Sequence, residues 1–339
     1  MATFNGFDSA MLIAEIAQAH DGSLGTAHAY VDAAADAGAD AIKFQMHIAE
    51  AESTKDEPWR TRFSYQDETR FDYWRRMEFT REQWQGLRDH AGERGLLFVV
   101  SPFSHSAIDL MVDIGVDILK IASGEALAIT SLLPNDVSLP IIASTGMSQW
   151  REIDATIEAL RASTGAFALL QCTSQYPTPY DRVGLNVMED MRERYDCPVG
   201  LSDHSGTPYP ALAALARGFG LIEVHVTFDR RMFGPDVSSS LTLDEFALVA
   251  QARDAFRAMD QAPVDKDAMA GTLQDLRGMF SKSLAVTQPL KAGDILERDT
   301  LTFKKPGTGI PASERDNVVG RRLKNAVEPD SVLTWSDVE

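Results

Sequence analysis

The chain has 339 residues, enough for one large domain of roughly 250 residues and a small appendage. Its hydrophobic fraction of 44% and charged fraction of 24% are typical of a water-soluble globular protein. The net charge of −18 at pH 7 argues against nucleic acid or an anionic membrane as a partner. An anionic substrate would therefore need a local positive pocket.

The start of the chain and its two cysteines predict a cytoplasmic location. The first eight residues contain no basic segment followed by an apolar stretch, which argues against a signal peptide. Apolar runs such as 11–17 and 96–100 are too short to span a bilayer. Cys172 and Cys197 do not make a disulfide framework, as expected of a chain in a reducing compartment.

Eight short apolar runs alternate with helical patterns over the first 270 residues. The candidate strands are 12–16, 41–44, 97–100, 118–121, 141–143, 168–171, 199–201 and 222–226. Thr80 with Gln83 and Thr242 with Glu245 form two predicted capping boxes at helix starts. Alternating strands and helices predict an α/β fold with a parallel sheet, and the count of eight favours a TIM (β/α)8 barrel. A doubly wound open sheet is the structural alternative.

The segment 50–79 contains no clear strand and predicts a long loop with room for short helices. It is rich in aromatic residues and arginines, namely Trp59, Arg60, Arg62, Tyr65, Tyr73, Trp74, Arg75 and Arg76. Long loops in barrels usually cover the active site, so we expect this one to do the same.

The pattern changes after about residue 270. Residues 281–287 predict a strand, and 290–301 and 327–338 loosely repeat one another. Short strands, Gly/Pro turns and an internal repeat indicate a small β-rich domain. We therefore predict a barrel over 1–270, a linker over 271–280 and a β-rich domain over 281–339.

Every candidate strand delivers polar or ionisable residues to its carboxyl end, where TIM barrels carry their chemistry. In chain order these are Glu15, Gln18, Lys43, Gln45, Ser101, Lys120, Ser123, Glu125, Ser144, Thr145, Cys172, Thr173, Ser174, Tyr176, Ser202, Asp203, His204, Ser205 and His225. Each has an ordinary explanation by itself, because serines cap turns, lysines are often solvated and single histidines are often core residues. Their recurrence on eight strands predicts one functional rim.

The residue types at this rim suggest the ligands. Two lysines, Lys43 and Lys120, with several serine hydroxyls suit a small ligand that carries phosphate and carboxylate groups. His204 and His225 follow adjacent strands and are candidate ligands of a divalent metal, with water, substrate or Glu15 completing the shell. A pair of acid–base histidines is the alternative.

The runs 13–20, 43–45, 120–125, 144–147, 172–180 and 200–204 resemble the sialic acid synthase family. Runs 223–227 and 234–236 continue the likeness, and the tail with 304–307 resembles that family's SAF (antifreeze-like, β-clip) domain. The resemblance implies a domain-swapped homodimer that uses Mn²⁺ or Mg²⁺. It also implies a nonulosonic acid synthase, which condenses phosphoenolpyruvate with an N-acyl amino-sugar aldehyde and releases phosphate.

The same resemblance implies roles for individual residues. Lys43 and Ser101 would hold the phosphoenolpyruvate carboxylate, and its phosphate would be held by Lys120, Ser123, Ser144 and Ser202. The metal would be bound by His204 and His225. The residues facing the sugar would be Glu15, Gln45, Tyr176 and Asp236. Glu15 would also stabilise the cation that develops at C2 of phosphoenolpyruvate, or position the attacking water.

Three departures from the family pattern concern the sugar. Ser174 stands where members often have Asn, and the loop 63–66 lacks the Asn that meets the sugar in N-acetylmannosamine-using enzymes. Lys305 replaces an Arg directed at the N-acyl group, and lysine cannot reproduce the bidentate fork of arginine. We therefore predict a modified sugar, such as a 2,4-diacetamido-2,4,6-trideoxyhexose that gives a legionaminic-type acid.

Other functions stay open from the sequence. One is N-acetylneuraminate synthesis proper, from N-acetylmannosamine. Another is a synthase of octulosonates, whose sugar phosphate would need a second anion site from the arginine-rich loop. Retro-aldol cleavage through a lysine Schiff base is a third. A non-catalytic sugar-binding scaffold is disfavoured because both lysines and both histidines are present.

Overall fold

The computed structural model describes residues 4–7, 10–133 and 137–339. The chain divides after Asp260 into two compact units, which are described separately here. Across the described residues of both units, no helix is long and apolar enough to cross a membrane.

The first unit is built on a closed barrel of eight parallel strands. Consecutive strands pair in order, and β1 also pairs with β8, which closes the sheet. The strands are β1 (Met11–Ala17), β2 (Ala41–Met46), β3 (Leu97–Pro102), β4 (Ile118–Ile121), β5 (Ile141–Ser144), β6 (Phe167–Cys172), β7 (Val199–Asp203) and β8 (Leu221–Thr227). The predicted TIM barrel is confirmed, and closure excludes the open sheet.

Helices connect the strands and surround the barrel. They are α1 (Leu24–Asp36), α2 (Ala49–Glu52), α3 (Arg70–Met77), α4 (Arg81–Glu93), α5 (His105–Ile114), α6 (Ser123–Ala126), α7 (Ile129–Leu132), α8 (Trp150–Ser163), α9 (Leu185–Arg194), α10 (Tyr209–Ala216) and α11 (Leu243–Gln261). The capping box of Thr80 and Gln83 is present, and Glu245 bonds back to Thr242 in the same way. A two-residue strand, β9 (Leu241–Thr242), pairs parallel with the end of β8 just before α11.

Side chains alternate between the two faces of each barrel strand. On β2, Ile42 and Phe44 pack outward in the core shared with the helices, whereas Ala41 and Lys43 point into the barrel. The amino-terminal half of the interior is filled by apolar side chains that include Met11, Ile13, Ala41, Leu97, Val99, Ile118, Ile142, Ala168, Leu170 and Leu221. At the carboxyl ends the inward residues become polar, so the site lies above a packed apolar floor.

Gly200, on β7, allows close packing of the strands around this apolar floor. A Cβ atom at Gly200 would lie 2.0 Å from the carbonyl oxygen of Leu221 and 2.8 Å from Cδ2 of Leu170. The close approach of β7 and β8 therefore depends on the missing side chain. This approach brings the polar ends of the two strands together, since Ser202 lies opposite Glu223 in the register.

The segment between β2 and α4 is the long loop expected from the sequence. Apart from α2 and α3 it has no regular structure. Trp59, Phe63 and Tyr73 pack edge-on or tilted against one another, with ring centroids 5.0–5.8 Å apart. Arg76 pairs with Asp67, which ties the loop to α3. The loop is therefore held by its own aromatic cluster and ion pair.

The second unit contains α12 (Lys266–Thr272), α13 (Gln274–Phe280), β10 (Ser283–Val286), β11 (Leu301–Lys304) and α14 (Arg315–Val318). β10 and β11 pair antiparallel. The predicted linker at 271–280 is mostly helix α13. Leu290 pairs with Val327, so the two repeating segments begin side by side, and both contribute to a separate apolar core.

Candidate active site

A cavity of about 510 Å³ opens at the carboxyl end of the barrel. All the site residues predicted within the barrel line it: Glu15, Lys43, Gln45, Ser101, Lys120, Ser123, Ser144, Ser174, Tyr176, Ser202, His204, His225 and Asp236. Lys305 belongs to the second unit, where its ammonium lies 5.3 Å from the ring centroid of Phe280. Residues spread over more than 220 positions of the chain thus meet in one cavity.

The two lysines lie at the bottom of this cavity, on β2 and β4. Lys43 Nζ lies 2.8 Å from Glu15 Oε2 and donates to Ser101 Oγ at 3.2 Å. Lys120 Nζ donates to Ser144 Oγ at 2.7 Å. All five side chains are buried. Each lysine therefore already holds a hydroxyl in place beside its ammonium group, as an anion site requires.

Glu223 joins the two lysines, and the sequence analysis did not assign it a role. Its Oε1 lies 3.9 Å from Lys43 Nζ and 3.4 Å from Lys120 Nζ, and it accepts a hydrogen bond from Ser202 at 2.9 Å. Its Oε2 is buried without a hydrogen-bond partner. A signal for it was present, because Glu223 precedes His225 by two residues and so faces the same side of β8.

Burial and charge oppose each other in this cluster. Burial disfavours both ammonium groups, but Glu15 and Glu223 outweigh it and raise the pKa of Lys43. For Lys120 burial prevails, and its pKa is lowered despite Glu223. Burial would raise the pKa of Glu223, but the two lysines lower it to about 2. Glu223 is therefore ionised at neutral pH, and Lys120 loses its proton more readily than Lys43.

A second set of hydroxyls surrounds Gly146, after β5. The Gly146 amide donates to Ser123 Oγ at 3.1 Å, and Ser123 Oγ lies 3.5 Å from Cys172 Sγ. A Cβ atom at Gly146 would lie 2.4 Å from Ser174 Oγ and 2.7 Å from Ser123 Oγ. The two hydroxyls thus occupy the space that any side chain at this position would need.

Gly146→Ala is expected to raise the KM for the phosphorylated substrate by about tenfold or more, because the methyl group displaces both hydroxyls. Gly124→Ala is the matched control, since its Cβ would meet only Met147 Cε, at 3.8 Å. Steady-state kinetics with a thermal melt of each variant checks the effect. A KM for Gly146→Ala equal to that of the control would contradict this reading of the hydroxyls.

The two predicted metal ligands lie next to each other. The ring centroids of His204 and His225 are 5.2 Å apart, and Tyr176 Oη lies 3.0 Å from His204 Nε2. His204 Nδ1 lies 3.3 Å from the carbonyl oxygen of Thr173, a partner that favours the proton on Nδ1. Burial, with His225 nearby, holds the pKa of His204 well below its usual value. His204 is therefore a neutral imidazole whose Nε2 can accept a hydrogen bond from Tyr176 Oη.

These two imidazoles fit a metal that keeps open positions. Among the described residues, no three His, Cys, Asp or Glu side chains are grouped to hold a metal ion. A shell around His204 and His225 would therefore be completed by water and substrate oxygens, the pattern of catalytic rather than structural metals. The neutral state of His204 suits such a role, because only the neutral ring can ligate a metal.

A chain of hydrogen bonds leads from Glu15 to the cavity wall. Gln45 donates to Glu15 Oε1 at 2.7 Å, and Gln18 donates to Gln45 Oε1 at 2.6 Å. Gln18 Nε2 also lies 2.8 Å from His47 Nε2, and His47 Nδ1 lies 2.6 Å from Glu52 Oε1. With Lys43 on its other oxygen, Glu15 is thus held in one orientation by a network that sequence patterns did not reveal.

The arginines of the long loop are mostly paired with carboxylates of the same unit. Arg60 pairs with Asp236, Arg70 with Glu57, Arg75 with Glu50, and Arg76 with Asp67 and Asp21. Because paired guanidinium groups offer a sugar phosphate little net positive charge, the geometry does not favour the octulosonate alternative.

A closed barrel that gathers buried ammonium and hydroxyl groups at its carboxyl end suits an enzyme that acts on a small anion. The chain belongs to the NeuB family, whose sequence pattern matches residues 30–263, and the SAF domain pattern matches residues 281–339. The predicted family and enzyme class, a sugar-acid synthase that forms a carbon–carbon bond with phosphoenolpyruvate, are thereby confirmed.

The sequences of individual relatives match this chain over nearly its whole length. The N,N'-diacetyllegionaminic acid synthase of Legionella pneumophila is 31% identical over 97% of this chain and 94% of its own length. The enzyme of the same name from Campylobacter jejuni is 31% identical over 95% of this chain and 98% of its own. The crystal structure of the N-acetylneuraminic acid synthetase of Leptospira borgpetersenii superposes with a TM-score of 0.66 at 28% identity. It covers 82% of this chain and 95% of its own.

Proposed function

We propose that this enzyme condenses phosphoenolpyruvate with a 2,4-diacetamido-2,4,6-trideoxyhexose aldehyde to give a legionaminic-type acid. The observation that carries the phosphoenolpyruvate half is the buried pair of Lys43 and Lys120, each with a hydroxyl in contact. The sugar is supported by the two relatives named for diacetyllegionaminic acid and by the departures at Ser174 and Lys305.

The lysine cluster suggests how phosphoenolpyruvate lies in the cavity. Lys43 and Ser101 would bind its carboxylate, and Lys120 with Ser144 would bind its phosphate together with Ser123 and Ser202. Glu223 balances the two lysines before substrate arrives, so bound phosphoenolpyruvate competes with this carboxylate for the same ammonium groups. An internal carboxylate of this kind keeps two buried lysines from repelling each other in the empty cavity.

The protein's own groups would then guide the reaction. C3 of phosphoenolpyruvate attacks the aldehyde carbon and forms the new carbon–carbon bond, while positive charge develops at C2. Glu15, fixed by Lys43 and Gln45, stabilises this charge or orients the water that adds at C2. Inorganic phosphate then leaves from C2 with its bridging oxygen, which completes the 2-keto acid. Holding both reactants in register could supply roughly 7–11 kcal/mol at most.

A divalent metal is part of this proposal. Mn²⁺ or Mg²⁺ held by His204 and His225 would supply Lewis-acid polarisation of the sugar aldehyde. The neutral His204 ring and its Thr173 partner support this assignment. Tyr176, in contact with His204, and Asp236 line the same part of the cavity and would orient the sugar.

A cytoplasmic, domain-swapped homodimer also belongs to the proposal. It rests on the family resemblance and on exposed apolar side chains of α12, α13 and the residue between them, namely Met269, Leu273, Leu276, Met279 and Phe280. In such a dimer Lys305 would reach the sugar of the partner. Sedimentation equilibrium of the full chain is expected to give the mass of two protomers, and a monomer would exclude the exchange.

Phosphate release with a panel of acceptors tests the proposed function. The panel contains N-acetylmannosamine, its 6-phosphate and 2,4-diacetamido-2,4,6-trideoxymannose, and we expect the highest kcat/KM with the diacetamido sugar. Equal or better turnover of N-acetylmannosamine would contradict the sugar assignment alone. No phosphate release with any amino sugar would contradict the synthase. Borohydride with pyruvate should trap no Schiff base.

A further inference from the structure

Arg60 stands out in the sugar half of the cavity. Its Nη2 donates to Asp236 Oδ1 at 2.7 Å, and its Cζ lies 4.5 Å from the ring centroid of Tyr176. The pairing joins the long loop to the segment after β8, 176 positions further along the chain. Arg60, Asp236 and Tyr176 all line the cavity. An arginine from the barrel unit itself therefore lies among residues that would face the sugar.

The guanidinium retains donors for a ligand. Arginine has five N–H donors, and one of them meets Asp236. The side chain is 46% exposed, whereas that of Asp236 is 15% exposed. The guanidinium also lies over the Tyr176 ring, and together with the Asp236 pair this contact restrains it at the cavity wall.

The groups around Arg60 are complementary to an acylated amine. Trp59 and Phe63, on either side of Arg60 in the loop, line the cavity with apolar surface. Asp236 supplies a carboxylate acceptor beside the guanidinium donors. A secondary amide on a sugar offers a carbonyl oxygen, an N–H and a methyl group, and these match a cationic donor, an anionic acceptor and an aromatic wall.

We propose that Arg60, paired with Asp236, is the specificity-determining residue that reads an N-acyl group of the amino sugar, a role that rests on the proposed function. A charged ligand group fits less well, because the adjacent Asp236 carboxylate would repel a phosphate. The side chain also provides, within the barrel unit, the planar fork that Lys305 lacks.

The test compares acylated and non-acylated acceptors across variants. Arg60→Lys keeps the charge and loses the fork, and Arg60→Met loses both. Arg75→Lys is the matched control, because Arg75 belongs to the same segment, pairs with Glu50 and does not line the cavity. The acceptors are the diacetamido sugar, N-acetylmannosamine and mannose, which lose one acetamido group at each step; the first step also adds a hydroxyl at C6, which is the same for wild type and variants. KM for each sugar, KM for phosphoenolpyruvate and kcat are measured separately.

In the wild type we expect at least one acetamido group to lower the sugar KM by about tenfold or more. In Arg60→Lys and Arg60→Met that preference should fall to about twofold, with an unchanged KM for phosphoenolpyruvate and a smaller change in the KM for mannose than for the acylated sugars. Arg75→Lys should keep the wild-type preference. The step at which the preference disappears identifies the acetamido group that Arg60 contacts.

Two results would overturn the inference. One is a wild-type acyl preference in both Arg60 variants. The other is an equal loss with every sugar accompanied by a higher KM for phosphoenolpyruvate, which would mean a merely structural role. Calorimetric dissociation constants for the same sugars give the same ratio without turnover. If the proposed function itself is wrong, wild-type enzyme releases no phosphate in the assay with amino sugars. That outcome differs from either result that would overturn the role of Arg60.

Discussion

Lys120→Met should lower kcat/KM for phosphoenolpyruvate by about 10³-fold. The substitution removes the ammonium group that Ser144 contacts at 2.7 Å, together with its charge at the proposed phosphate position. It also leaves Glu223 with Lys43 as its one ammonium partner, at 3.9 Å, so less of its negative charge is balanced against the substrate. Stopped or continuous phosphate-release assays measure the effect directly. Lys55→Met, on the exposed part of the long loop, is the control and should retain wild-type activity.

The same variant should lose stability, and a second substitution separates this loss from the loss of activity. Removing one partner of a buried ion pair costs about 3–5 kcal/mol, because the other charge stays buried. After the loss of Lys120, Glu223 keeps only the more distant ammonium of Lys43, at 3.9 Å. Lys120→Met with Glu223→Gln removes this buried carboxylate and should recover most of the free energy of unfolding without recovering activity. A double variant as active as wild type would contradict the role of Lys120 in substrate binding.

His225→Asn is the second change with a large expected effect. We expect phosphate release to fall by about 10²-fold or more, because polarisation of the sugar aldehyde is lost. Removal of metal from the wild type with a chelator should give the same loss, and added Mn²⁺ should restore activity in the wild type but not in the variant. His204→Asn should behave likewise. Metal content per chain, measured by mass spectrometry, links activity to occupancy.

His105→Asn provides the control for this experiment, because His105 is exposed at the start of α5 and lies away from the cavity. It should leave both metal content and turnover unchanged. Full activity in wild-type enzyme from which metal has been removed completely would contradict the metal role. The acid–base pair would then explain the two histidines, and the proposed binding of phosphoenolpyruvate by Lys43 and Lys120 would be unaffected.

The barrel and the grouping of polar residues at its carboxyl end were predictable from sequence for one physical reason. Parallel strands that are buried on both faces form short apolar runs, and their carboxyl ends must meet at one end of a closed barrel. Lys43, Ser101, Lys120 and Ser144 could therefore be grouped without knowing any distance. The period of two along each strand even contained the signal for Glu223, which shares a face with His225.

No such sequence rule predicts the contacts that loops make or the contacts between side chains of different strands. Arg60 meets Asp236 across 176 positions, and no periodicity relates a loop residue to its partner. The hydrogen-bond network from Glu15 to Glu52 depends on side-chain rotamers. The space at Gly146 depends on two serines that follow other strands. The sequence by itself determined which strands form, which strand ends carry polar groups and which family the chain resembles. Only the tertiary structure decided which charges are paired, because pairing depends on distances through space that local patterns do not contain.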